Sequence, residues 1–364
     1  MKVDPLALEA HRLVICLGPG GVGKTTLSAA LALRAALSGR SVDVMTVDPA
    51  PRLLDALGLE DDRATPQPVP LAGLGARRGG KLRALKLDPK RTFDELVAQY
   101  ASSPAARDAI LSDRIYHNIS NALAGVGDYM AMERLLQLHL DRPAGLIVLD
   151  TPPARDAIDF LDAPHRMLNL LDSRAITLLG TSRELMRRPL AVFDIAARAV
   201  LAAFDRLTGL RLLKDVQAFV GHFDGMYRGF ADRAARAQEL LRADSSLVVL
   251  ITNAQAERVE QAGTFIEALE KLGLKLGAVV VNRMMPPLPE AAALAHAELP
   301  AALRRKLMRN LEDFAALKRR ETVAFDSLRR AMPPNVSVLI APELGHTPRS
   351  LIELAEIATS LKAV

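Results

Sequence analysis

A chain of 364 residues, half of them hydrophobic, has room for one large α/β domain or two ordinary ones and can bury a sizeable core. Its net charge of +5 is modest for that length, and with no Trp and few other aromatics it offers little for stacking bases, which counts against single-stranded nucleic acid. The only cysteine, Cys16, rules out an intrachain disulfide, a two-thiol zinc clip and a cysteine-ligated cluster. No basic patch leads into an apolar signal core at the start, and no apolar run approaches the ~18 residues of a membrane span, so the expected location is cytoplasmic.

The first apolar run, Leu13 to Leu17, reads as a buried strand that holds Cys16 as a small hydrophobe. It enters Gly18-Pro19-Gly20-Gly21-Val22-Gly23-Lys24-Thr25-Thr26, and an Ala/Leu-rich helix former follows from Leu27 to Leu37. Strand, glycine turn and helix in that order make a phosphate-binding loop. The glycines let successive N–H groups turn toward one anion, and the new helix adds the positive end of its dipole. Lys24 supplies a point charge for the β- and γ-phosphates, and the Thr25 hydroxyl suits Mg²⁺. Gly39-Arg40 closes the helix, and Ser41 to Val47 reads as a second buried strand ending in Asp48-Pro49-Ala50-Pro51-Arg52. A carboxylate at the C-terminal end of a strand beside the phosphate loop is where α/β sheets place ligands. Asp48 is therefore a candidate to orient an attacking water or to join the shell around Mg²⁺, with a plain turn before proline as the alternative.

Residues 60–81, with Pro66, Pro68, Pro70 and several glycines, read as a surface excursion of low order. Leu82 to Leu87 reads as a strand, followed by Asp88-Pro89-Lys90 and a helix from near Thr92; residues 102–142 read as helical with a break around Gly125-Val126-Gly127. Gly145 to Asp150 is a short apolar run closing on an acid, with Thr151-Pro152-Pro153 behind it. That placement fits a second magnesium-side carboxylate, bound through water or through the loop hydroxyl.

From about Asp156 to Arg242 apolar residues such as Leu168, Leu179, Val200 and Phe219 recur at helical spacing. A helical subdomain inserted into the α/β unit follows, its apolar faces either core or a groove for apolar partners. Strands resume at Leu247 to Ile251, Gly277 to Val281 and Val336 to Ile340, with helical stretches between them, which predicts a mainly parallel sheet with right-handed crossovers. Asn282 ends one of these strands with an amide able to read a purine edge, and is otherwise a turn residue. Residues 299–331 read as a basic helix carrying Arg304-Arg305-Lys306, Lys318-Arg319-Arg320 and Arg329-Arg330, a solvated face unless an anionic partner covers it.

Gly18 to Thr25, Val47-Asp48-Pro49-Ala50, Leu85 to Pro89, Asp150-Thr151-Pro152-Pro153 and Val281-Asn282-Arg283, in this order, resemble the arsenical-pump and tail-anchored-protein targeting ATPases, a branch of the deviant Walker A ATPases. The resemblance spans nearly the whole chain. It implies an α/β P-loop NTPase with a mainly parallel sheet flanked by helices and an inserted helical subdomain. Residues 1–155 would be the ATPase core with both switches, 156–242 the helical insertion, and 243–364 the rest of the core with the adenine-side loops. It implies a homodimer gated by ATP and Mg²⁺. Lys24 and Thr25 would hold phosphate and metal, Asp48 would activate water, and Asp150 would support the Mg²⁺ shell, so that Thr25, Asp48 and Asp150 form the metal side. The loop Gly18, Pro19, Gly20, Gly21, Val22, Gly23 with Thr26 would wrap the phosphates, while Asn282, Arg283 and Pro342 would face the base.

Three departures stand out against that family. Its signature lysine, one residue after the first loop glycine, is Pro19 here, and Arg155 or Arg52, each beside a switch carboxylate, is the candidate replacement. A Thr-Gly-His-Thr segment expected after the second switch reads Ala154-Arg155-Asp156-Ala157. The lone Cys16 argues against arsenite as cargo. The expected function is an ATP-driven dimeric switch with an apolar helix as possible client; a partition-type ATPase binding DNA or a membrane surface, or a nucleotide-sensing scaffold without turnover, are the alternatives.

Overall fold

The computed structural model describes residues 6–60, 65–77, 79–113, 116, 126–172, 226–292, 298–345, 348 and 350–364. Seven apolar runs become parallel strands: β1 (Leu13–Leu17), β2 (Ser41–Thr46), β4 (Lys81–Lys86), β5 (Leu146–Asp150), β6 (Ser246–Thr252), β7 (Leu276–Met284) and β8 (Ser337–Pro342). Two short strands, β3 (Gln67–Pro68) and β9 (Lys362–Ala363), add antiparallel to β4 and β8. The sheet runs β3-β4-β2-β5-β1-β6-β7-β8-β9, so β1 lies at its middle with β5 and β6 on either side. Every residue of β1 and β5 is buried, as a strand covered on both faces requires. The fold is α/β, with a mostly parallel sheet flanked by helices, as a P-loop NTPase has.

The described part of the excursion, residues 65–77 and 79–81, is more ordered than its prolines suggest. Pro68 sits in an edge strand, where its missing N–H costs no ladder bond. Val69 is buried, its N–H donating to the Leu82 carbonyl at 2.8 Å, and Leu71 and Leu74 pack on the same core.

Helix α1 (Lys24–Leu37) follows β1 directly. Its alanines and leucines are buried against the sheet in one cluster with Leu354, Ile357 and Ala358 of the helix Leu351–Ser360. Arg34 of α1 also donates to the Ala358 carbonyl at 3.0 Å. The helix Leu351–Ser360 starts on a capping box, in which Ser350 accepts from the Glu353 N–H and Glu353 accepts from the Ser350 N–H. The basic stretch forms one continuous helix, Ala301–Ala331.

The chain divides into two compact units. The first, residues Met1–Leu87, Leu138–Asp159 and Leu241–Val364, contains the sheet. The second comprises Asp88–Gln137 and Phe160–Leu240. Its described part is helical, around a core of Phe93, Leu96, Tyr116, Tyr129, Met130 and Phe230. Phe93 packs on Tyr116 with ring centroids 5.0 Å apart and meets Phe230 edge-on at 6.3 Å. Within this unit Glu133 and Arg233 form a buried ion pair, and Arg233 also donates to the Tyr100 hydroxyl at 3.0 Å. Met167 and Leu168 pack on the unit's core, whereas the rest of the apolar periodicity expected there, residues 173–225, lies outside the described residues.

Candidate functional site: a phosphate loop beside two carboxylates

The turn after β1 is shaped by glycines that nothing else replaces. Gly18 has φ +148°, and a Cβ there would lie 2.0 Å from the Ile251 carbonyl oxygen of β6. Gly23, with φ +92°, would put a Cβ 2.4 Å from the Asn282 amide nitrogen. Val22 is buried, and its carbonyl accepts from Asn282 Nδ2 at 2.8 Å. Asn282 thus fastens the loop from the end of β7, a contact its purine-edge reading does not anticipate. Lys24 is buried and donates to the Pro19 carbonyl at 3.1 Å, folding its ammonium back across the loop. Burial pushes its pKa down, against the pull of the Asp150 and Asp48 carboxylates.

Strand register sets the metal side. Asp150 is level with Cys16 of β1 and with Thr46 of β2. Its carboxylate is buried and accepts from the hydroxyls of Thr25 at 2.8 Å, Thr46 at 2.9 Å and Ser28 at 3.4 Å. Burial raises its pKa, more strongly than the Thr25 and Thr46 hydroxyls and the Lys24 ammonium lower it. Next to it the Thr151 hydroxyl donates to the Cys16 carbonyl at 2.8 Å. Cys16 itself is fully buried and its thiol is pushed up to about 12 by that burial.

Asp48 stands just past the end of β2. Its Oδ1 accepts from the Ala50 N–H at 2.9 Å, and its own N–H donates to the Thr46 hydroxyl at 3.2 Å. Thr46 therefore links the Asp150 carboxylate to the Asp48 backbone, giving a hydrogen bond to the first and accepting one from the second. Sequence reasoning singles out neither Thr46 nor Ser28. Ser28 lies three residues after Thr25 on the same face of α1, a spacing legible in the sequence, whereas Thr46 meets Asp150 only through the register of β2 and β5.

Lys24, Thr25 and Asp48 open onto one cavity of about 630 Å³, whose walls also include Gly21, Arg52 and Arg283. Gly20 and Thr26 line it as well. A neighbouring cavity of about 310 Å³ is lined by Gly23, Thr26, Asn282, Arg283, Pro342 and Glu343. Arg283 reaches both while its backbone sits at φ +58°, a conformation uncommon outside glycine. Beyond it, Glu321 of the helix Ala301–Ala331 accepts from the Met285 N–H at 2.9 Å, and Lys318 donates to the Met285 carbonyl at 2.5 Å. The two side chains pair with each other at 2.7 Å, so one turn of that helix grips the peptide following β7 from both sides. The side chain of Arg155 lies outside the described residues; that of Arg52 faces the phosphate-loop cavity.

The profile of the anion-transporting ATPase family matches residues 11–314, which takes in the loop, both carboxylates and Asn282. The chain belongs to the anion-transporting ATPase family. Among relatives of this family member, an uncharacterized protein of Streptomyces coelicolor is 27% identical over 351 residues, covering 95% of this chain and 75% of that one. The ATPase GET3 of Malassezia globosa is 24% identical over 310 residues, covering 85% and 83%. The ATPase GET3A of Arabidopsis thaliana is 30% identical over 156 residues, covering 43% and 39%. Among the described residues of this anion-transporting ATPase family member no helix is long and apolar enough to cross a membrane, and no group of three or more His, Cys, Asp or Glu gathers into a metal cage. Mg²⁺ needs no such cage. It takes oxygen ligands, keeps several waters and shares substrate phosphates, and the hydroxyl of Thr25 with the carboxylates of Asp150 and Asp48 is an all-oxygen set of that kind.

Proposed function

We propose that this chain is a Mg²⁺-dependent ATP hydrolase that works as a nucleotide-gated dimeric switch. The observation that carries the reading is the convergence of Lys24, Thr25 and Asp48 on one cavity at the mouth of the phosphate loop, with Asp150 bonded to Thr25 behind them. In this reading the loop from Gly18 to Thr26 wraps the phosphates with its N–H groups, and the Lys24 ammonium leaves the Pro19 carbonyl for the β- and γ-phosphates. Thr25 and Asp150 hold Mg²⁺, which neutralises charge on the phosphate oxygens when bound. Asp48 orients the attacking water. Pro342 and Arg283 face the base, and Asn282 keeps the loop in register with them.

The dimer, the cytoplasmic location and an apolar helix as client belong to the same proposal. They rest on the resemblance of the loop and switch segments to the arsenical-pump and tail-anchored-protein targeting ATPases, together with the family match over residues 11–314. Arsenite is not part of it: the single thiol is buried and held protonated, and arsenic chemistry needs several reachable thiolates.

Light scattering of the purified chain and of Asp48→Asn, each with and without ATP and Mg²⁺, tests the proposal. The wild type is expected to reach twice the monomer mass with ATP and to return to the starting mass as phosphate is released. Asp48→Asn is expected to stay at the doubled mass with little phosphate release. An ATP-independent mass refutes the switch, and ATP binding without any phosphate release favours the scaffold reading instead.

A further inference from the structure

The cavity at the phosphate loop holds a cation that the loop chemistry leaves unused. Arg52 opens a short helix (Arg52–Ala56) four residues after Asp48, and its guanidinium lies 3.4 Å from Asp48 Oδ2. The side chain is 72% exposed while its partner carboxylate is 28% exposed, so the contact is a solvated one, made on a long stem that is free to swing. It shares the cavity wall with Lys24 and Thr25. The other arginine there, Arg283, also lines the neighbouring cavity with Asn282 and Pro342.

With Arg52 on one oxygen and the Ala50 N–H on the other, both oxygens of Asp48 are engaged. A terminal phosphate is a stronger partner for this guanidinium than Asp48, because it carries more charge and can accept two parallel N–H bonds where Asp48 gives Arg52 one oxygen. Lys24 cannot fill that place from the same direction, since its ammonium rises from the buried floor of the loop.

We propose that Arg52 is an exchangeable phosphate ligand, resting on Asp48 in the nucleotide-free chain and moving to the terminal phosphate of a bound nucleoside triphosphate, which frees Asp48 Oδ2. Arg52 then makes the site distinguish tri- from diphosphate and ties the release of Asp48 to the arrival of the third phosphate. The assignment rests on the ATP-binding reading above.

Titration of the full chain with fluorescent ATP and ADP analogues in the presence of Mg²⁺ tests it, using wild type, Arg52→Ala, Arg52→Lys, Asp48→Asn and the double variant Asp48→Asn/Arg52→Ala. Arg52→Ala is expected to weaken the triphosphate about tenfold, the size of one charge-assisted bond, and the diphosphate less than about twofold. Arg52→Lys is expected to recover part of the difference. Asp48→Asn is expected to tighten the triphosphate when Arg52 is present and not when it is alanine. Equal losses for both nucleotides, or an Asp48→Asn effect that ignores Arg52, overturns the assignment. If the unaltered chain binds neither nucleotide, the ATP-binding reading falls and the assignment falls with it.

Discussion

Asp150 is a charge kept where charge is costly. Its carboxyl is almost fully buried and its pKa lies above the ordinary carboxylate range, chiefly through loss of water, with nearby Asp48 adding to the rise. A raised carboxyl pKa means that the folded state keeps the proton to higher pH than the unfolded one. The group's contribution to stability therefore falls as pH climbs from about 3.9, the unfolded value, through the folded value. Asp150→Asn carries no charge at any pH. In the absence of nucleotide its stability is expected to equal or exceed that of the wild type at pH 7, with the gap closing toward pH 4, as read by denaturant titration at each pH. The same substitution removes an oxygen anion from the metal side, and the stabilisation given by ATP with Mg²⁺ is expected to weaken by about 10- to 100-fold in apparent metal affinity. A site built for folding alone would show neither the gain nor the loss.

At the scale of elements, the second unit depends on a different buried charge. Glu133 of the helix Val126–Asp141 and Arg233 of the helix Tyr227–Arg242 pair inside it, next to the hydroxyl and ring face of Tyr100. Removing one partner strands the other in the core. Arg233→Met alone is expected to destabilise the protein by about 3 kcal/mol or more, whereas Glu133→Leu with Arg233→Met recovers most of it. Hydrogen exchange of amides in the helix Pro89–Tyr100 reports both outcomes. Neither this pair nor the grouping of residues 88–137 with 160–240 is legible in the sequence, because both are contacts between segments far apart in the chain. What is legible is local. Seven parallel strands stand out as apolar runs, and Asp48 and Asp150 stand out because each follows such a run. Edge strands of two residues, β3 and β9, are too short to leave a period. Thr46 looks like one more strand residue until the pairing of β2 with β5 sets it opposite Asp150. Lys318 and Glu321 are hidden in the same way, since in a helix so rich in charge nothing distinguishes the two that hold Met285.

Across the whole molecule, that helix raises the question of an anionic partner. The 31 residues of Ala301–Ala331 display three basic clusters and also leave Leu303, Phe314, Leu317 and Val323 exposed. Lys318, in the middle cluster, is already engaged by Glu321 and Met285, which leaves fewer cations for phosphates than the sequence suggests. The net charge of the chain, +5 over 364 residues, is modest for its length. Gel retardation of duplex DNA in about 0.05 M salt, with and without ATP, is expected to give no ATP-dependent complex; a complex that appears with ATP and dissolves steeply as salt rises would favour the partition-type alternative.

The register of the sheet has a kinematic consequence. The phosphate loop grows from β1, and Asp150 is level with the same strand, so ladder hydrogen bonds fix the two relative to each other. The sheet's hold on the neighbouring segment ends at the Val47 N–H, which donates to the Asp150 carbonyl at 3.3 Å. Beyond that point Asp48 and Arg52 are held by bonds within the segment, by Lys86, which donates to the Pro49 carbonyl at 3.3 Å, and by Leu53 and Leu54, which are buried in the core. The site is a jaw built into the sheet and a second one tethered at its two ends. Loop, Lys24, Thr25 and Asp150 form the anvil, and Asp48 and Arg52 stand between two anchors, the last sheet bond at Val47 and the buried Leu53, so that a stroke driven by an arriving nucleotide is confined to the short span between them.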